Sequence, residues 1–194
     1  STLAPPTGRG WEAVVGEEVW DWAGELAELP SLLAEKAKAP SVVAGPTDLV
    51  IDPTNLWLTI HESIGHATEY DRAIGYEAAY AGTSFATPDK LGRMKYGSPV
   101  MNVTADRTVA HGLATVGFDD EGVRAQSWDL VRDGLFVGYQ LDRVFAPRLG
   151  VGRSNGCSYA DSAHHVPIQR MANVSLQPGP DDISTDELIS RVAD

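Results

Sequence analysis

The sequence predicts an α+β fold, with a helical first third that includes a His-Glu helix and a mainly antiparallel β region after it. Three observations carry this. Residues 17–39, "EEVWDWAGELAELPSLLAEKAKA", are dominated by Ala, Leu and Glu, strong helix formers. After about residue 100 glycine and β-branched residues become more frequent and helical periodicity fades. Within that region "RDG" separates "SWDLV" from "LFVGYQL", the pattern of a tight hairpin.

Composition sets the outer bounds. The 194 residues are 43% hydrophobic and 22% charged, as in an ordinary globular protein. A net charge of −12 with only four lysines argues against a nucleic-acid surface, which needs clustered cations. No apolar run approaches the roughly 20 residues of a membrane span, so no membrane partner is expected. The opening "STLAPPTGRG" lacks the charged and apolar regions of a signal peptide. The single cysteine, Cys157, excludes an internal disulfide and fits a reducing cytoplasm.

In chain order, residues 17–39 read as helix, with acidic residues in the first turn where the helix dipole favours them. Pro30 is expected to break the run into two helices. Trp11, Trp20 and Trp22 read as core or interface packing. Val42-Val43 and Leu49-Val50-Ile51, around the Gly45-Pro46 turn, read as short strands or as a loop and one strand. "NLWLTIHESIGHATEY" reads as helix, with Thr54 or Asn55 as cap and Leu56, Ile60 and Ile64 on one face. "TVAHGLATVGF" and "VRAQSWDLVRDGLFVGYQLD" read as strands, "FDDEG" as an acidic turn and "NVSLQPG" as a further strand. "STDELISRVAD" is a closing helix capped by Ser184 or Thr185. The chain opens and closes in mid-texture, so the expectation is a part of a longer protein.

"HESIGH", residues 61–66, holds the candidate chemistry. It has one residue more than the zinc-protease pattern H-E-x-x-H. Histidines at i and i+5 point about 140° apart on a regular helix, so they cannot share an ion there. Two distortions would bring them together: a single π-type turn, or an early helix end at Gly65. Neutral imidazoles suit Zn²⁺, and Glu62 beside a ligand suits a general base. The competing reading is a core helix that happens to carry two histidines.

Other polar residues are weighed in the same way. His164 and His165 precede Val166-Pro167 in a loop, and His111 falls in a strand-like alternation. Glu69 and Asp71 stand where they could orient an imidazole as hydrogen-bond acceptors, or be solvated at a helix end. Asp119, Asp120 and Glu121 offer oxygen to a hard cation, or sit exposed in their turn. Arg170 suits a substrate carboxylate or a structural ion pair.

Four ordered blocks resemble the TldD/PmbA family of zinc metallopeptidases. These are "HESIGHATEYD" (61–71), "FDDEG" (118–122), "VRDGLFVGYQLDR" (131–143) and "SYADSAHHVPIQRMANVSLQPG" (158–179), with "GRGWE" and "VIDPTNLWLTIHE" upstream. The resemblance implies a cytoplasmic zinc peptidase acting on unstructured peptides or small unfolded proteins. It implies a homo- or hetero-dimer with a family-related subunit, one subunit being metal-free in some members. His61 and His66 become zinc ligands and Glu62 the general base. Residues 1–53 become the C-terminal remnant of an N-terminal α/β domain, and residues 54–194 part of the metallopeptidase domain. The family's third ligand, a cysteine in a G-x-C segment after the closing helix, has no matched position here. Cys157, in "RSNGCSY", does not match it. The alternative function is a non-catalytic structural or partner subunit, or an inactive fragment. A DNA-associated regulator is the least favoured, given the acidic charge.

Overall fold

The computed structural model describes residues 4, 7–15 and 20–192. Elements in chain order are α1 (Glu12–Val15), α2 (Trp22–Lys38), α3 (Pro53–Ile60), a π-helical turn (His61–Gly65), a 3₁₀ turn (His66–Thr68) and α4 (Tyr70–Ala73). Then come β1 (Val103–Asp106), β2 (Ser127–Arg132), β3 (Leu135–Phe136), α5 (Ala146–Leu149), β4 (Ser158–Tyr159), β5 (Ile168–Gln169), β6 (Asn173–Leu176) and α6 (Thr185–Ser190). The α+β class holds, with two short helices following strands. Two compact units are present: Ser1–Leu56 with Asp182–Asp194, and Trp57–Asp181.

In the first unit, α2 starts where Asp21 accepts the Gly24 amide at 2.9 Å. Residues 17–19 of the expected helix lie outside the described residues. Pro30 does not split the helix: α2 runs through it. The missing N–H and the ring clash cost about 3 kcal/mol, and the surrounding Ala, Leu, Glu and Lys hold the helical conformation on both sides. Helix α2 buries no residue, and Trp11 and Trp22 are exposed, so neither is core. The expected strands at 42–43 and 49–51 are absent. Val42, Val43 and Leu49 are solvent-exposed and find no neighbouring strand among the described residues. An extended segment without a paired neighbour gains nothing for its ordering entropy. The closing helix is present, and Ser184 caps it by accepting the Glu187 amide at 3.1 Å.

The second unit is built on an antiparallel sheet of order β3-β2-β1-β6, beside a two-stranded β4-β5 ladder. The hairpin at β2-β3 is as expected. Val131 pairs Phe136 and Arg132 pairs Leu135, leaving a two-residue loop. Asp133 (φ 50°) and Gly134 (φ 74°) both take the left-handed region that such a loop demands. The expected strand at 108–118 is instead a run of turns, and His111 has φ 60°. The "FDDEG" turn forms, closed by a Phe118–Arg124 bridge and the Gly122 amide on Asp119 O at 2.9 Å.

Two apolar clusters make the core. Tyr70, Phe136, Tyr139, Leu141 and Phe145 form an aromatic one, with Phe136 and Tyr139 rings 4.8 Å apart and nearly perpendicular. The other joins Ile64 to Val103, Ala105, Leu130, Val131, Cys157 and Ala172. Burying Ile64 there is worth about 1.5–3 kcal/mol, and it seats the π-helical turn on the sheet.

Candidate metal centre

Helix α3 is capped by Asp52, not by Thr54 or Asn55. The Asp52 Oδ1 accepts the Thr54 amide at 2.8 Å and the Thr54 hydroxyl at 2.6 Å, and Pro53 takes the first helical position. The helix then widens. The His66 amide donates to His61 O, an i→i+5 bond, so five residues fill one turn. Of the two distortions open in the sequence, the π turn is the one adopted. Gly65 has ordinary helical angles, φ −53° and ψ −67°, so its backbone freedom is not what the turn uses. A Cβ there would overlap Met171 Sδ, so the methionine side chain would have to shift to admit one.

The π turn brings His61 and His66 to one side. Their rings lie 4.5 Å apart at 89°. His61, Glu62 and His66 offer ligand atoms all within 4.8 Å of one another, the one such cluster among the described residues. Glu62 is 63% exposed, with His61 Nε2 4.0 Å from its Oε1. Two nitrogens sharing one zinc lie within about 4 Å, slightly tighter than this set at its widest. The more exposed His61 ring can make up that difference by side-chain rotation. The two imidazoles suit a borderline ion such as zinc, and the Glu62 carboxylate stands beside them.

A buried frame holds the turn. His66 Nδ1 is 2.9 Å from Glu69 Oε2, and the Glu69 side chain is 0% exposed. Arg72 Nε donates to the same oxygen at 3.1 Å, and Arg72 Nη1 to Ala81 O at 2.8 Å. Glu77 continues the network to Arg170 at 2.9 Å, so Arg170 is in a structural ion pair. Burial, with the negative charges of Glu77 and Glu69 adding to it, pushes the Asp71 carboxyl up to about 7 against the bond from the Arg72 amide. Glu69 and Asp71 are therefore interior groups and not solvated ends.

Gln140 and Tyr96 escape sequence reasoning. The fully buried Gln140 donates to Gly65 O at 2.6 Å and to Thr68 Oγ1 at 3.2 Å, and accepts the Ala172 amide at 2.7 Å. Tyr96 donates to Ser63 O at 2.6 Å. The signal for Gln140 is slight: one amide between the apolar residues of "GYQL".

The remaining candidates fall away from the cluster. Cys157 is fully buried, and burial pushes its thiol up to about 12 despite the nearby Arg107. His164 and His165 are exposed, and His165 pairs with Asp161. Asp119 is buried, a correction to the expected exposed turn. Its carboxylate accepts the amides of Glu121, Val123 and Ser158 at 3.0, 2.8 and 3.1 Å.

Residues 44–194 match the family model described as the PmbA/TldA metallopeptidase C-terminal domain. A Methanothermobacter thermautotrophicus protein named Metalloprotease is 32% identical over 183 residues, covering 94% of this chain and 37% of that protein. A Saccharolobus solfataricus protein named Zinc metalloprotease TldD homolog is 26% identical over 176 residues, covering 90% of this chain and 37% of its own length. This chain thus spans little more than a third of those relatives. A solved Bacteroides thetaiotaomicron protein, described as a candidate modulator of DNA gyrase, shares the fold with a TM-score of 0.64 at 20% identity, over 87% of this chain and 33% of that one. No helix among the described residues is long and apolar enough to cross a membrane. With the family model matched over well more than half of its length, the chain belongs to the PmbA/TldD family of metallopeptidases.

Proposed function

We propose that this chain carries the zinc site of a peptidase, with His61 and His66 as ligands and Glu62 as general base. The observation that carries it is the π turn, which puts two imidazoles 4.5 Å apart beside an exposed carboxylate. A zinc ion held by the two imidazoles would lower the pKa of water toward about 7 and polarise a peptide carbonyl. Glu62 faces solvent next to His61, so it takes a proton from water and delivers it to the departing amine. The buried frame behind His66 keeps that imidazole fixed while the outer face stays open.

The substrate class is an extended, unfolded peptide in the cytoplasm, and the working unit a dimer with itself or a related subunit. Residues 54–194 form part of the metallopeptidase domain, with residues 1–53 belonging to the domain before it. The name of the Saccharolobus solfataricus relative supports zinc.

The test is zinc stoichiometry and hydrolysis of an unstructured peptide by the full-length protein, beside His61→Ala and His66→Ala. Zinc and activity present in the parent and lost in both variants support the reading. A folded parent with no zinc overturns it and leaves the non-catalytic partner subunit.

A further inference from the structure

We propose that Glu69 is a positioning residue that holds His66 in the Nδ1–H tautomer, leaving Nε2 as its unprotonated nitrogen. The proposal rests on the metal reading for its purpose, but not for its geometry.

A carboxylate has only acceptors to offer. Glu69 Oε2 lies 2.9 Å from His66 Nδ1, where two facing lone pairs would repel, so Nδ1 carries the hydrogen. The competing arrangement would leave Nδ1 bare to accept from Arg72 Nη2. That pair is 3.4 Å apart, the longer of the two, and Arg72 Nη2 itself lies nearer Glu69 Oε2, at 3.1 Å. Arg72 thus holds the carboxylate, and the carboxylate holds the imidazole. Fixing the ring nitrogen away from the ion is how a ligating histidine is oriented.

The carboxylate is not free to turn elsewhere. Its side chain is 0% exposed. Its backbone lies in a bridge to Gln140, with the Gln140 amide on Thr68 O at 2.9 Å and the Tyr70 amide on Gln140 O at 3.3 Å. Both of its side-chain donors converge on Oε2, while Oε1 has no partner among the described residues.

The experiment has two arms on the full-length protein. In the metal-free protein, the ring nitrogen shifts of ¹⁵N-labelled histidine, assigned with His66→Gln, report the tautomer. The expected parent signal is Nδ1–H, and the expected Glu69→Ala signal is a mixture including Nε2–H. Nε2–H in the parent overturns the proposal. In the second arm, chelator competition reads zinc affinity, expected to fall about 10–100-fold in Glu69→Ala and less in Glu69→Gln, which keeps an acceptor oxygen. Unchanged affinity in a folded Glu69→Ala overturns it. If that variant does not fold, the ring nitrogen signal of the parent decides alone, with Nε2–H counting against. A parent that binds no zinc would sink the metal reading alone, and the tautomer arm would still decide the role of Glu69.

Discussion

Met171 Sδ occupies the space in which a side chain on residue 65 would begin. A Cβ built on Gly65 overlaps it and lies 3.4 Å from each carbon bonded to the sulfur on either side. Gly65→Ala is therefore expected to destabilise by about 1–3 kcal/mol, the usual cost of overpacking. Met171→Ala in the same chain should recover part of that by emptying the space. Thermal melts of the two single variants and the double variant measure the coupling, which should be clearly non-additive.

Glu62→Gln keeps the shape of the side chain and removes its ability to take a proton. In the full-length protein, peptide hydrolysis should fall by about 100-fold or more while zinc content is kept. Metal analysis and a peptide assay on one preparation separate loss of the base from loss of the ion.

Gln140→Leu leaves the Ala172 amide without its side-chain partner and the Gly65 carbonyl with only the Thr68 hydroxyl at 3.2 Å. The expected loss is about 2–3 kcal/mol, at the upper end for uncompensated buried groups. Denaturant unfolding gives the number. Gln140→Glu should also be harmful, because a carboxylate has no donor for the Gly65 carbonyl.

Asp71 gives the pH dependence. Its carboxyl rises from an ordinary 3.8 to about 7 in the folded chain. The folded state therefore holds the proton more tightly than the unfolded one. Stability from this group is full below about 3.8, is lost as pH rises, and is gone above about 7. Asp71→Asn removes the titration while keeping an oxygen for the Arg72 amide. The variant should gain stability over the parent from about pH 4 to about pH 7, the window between the two values, and hold that gain above it. Melting temperatures at the two ends check the sign.

The imidazole pair and its carboxylate are the part of the site legible in the sequence, because residues five apart on one turn interact through local backbone alone. The i,i+5 spacing already restricts the helix to two distortions. The hairpin at Asp133-Gly134 is legible for the same reason, since its turn chemistry is contained in two residues. The frame is not local. Gln140 reaches Gly65 across 75 positions and Asn173 reaches Ala114 across 59, and no periodicity encodes either pairing. The misread strands at 42–51 and 108–118 have suitable β-branched residues. Among the described residues they have no partner strand, which local propensity cannot supply. Pro30 misleads in the opposite direction, because its helix has enough favourable residues to absorb one missing bond.

The burial of Cys157 has a practical corollary. It is the chain's sole thiol, it is sealed in the core beside Ile64, and its proton is held up to about 12. Alkylating reagents attack thiolates that solvent can reach, so the folded chain should be silent to maleimides at neutral pH. A cysteine introduced at the exposed Tyr80 would then be the single addressable thiol, with no need to remove the native one. Any labelling of the unmodified chain becomes a direct readout of core opening, timed by the arrival of one dye.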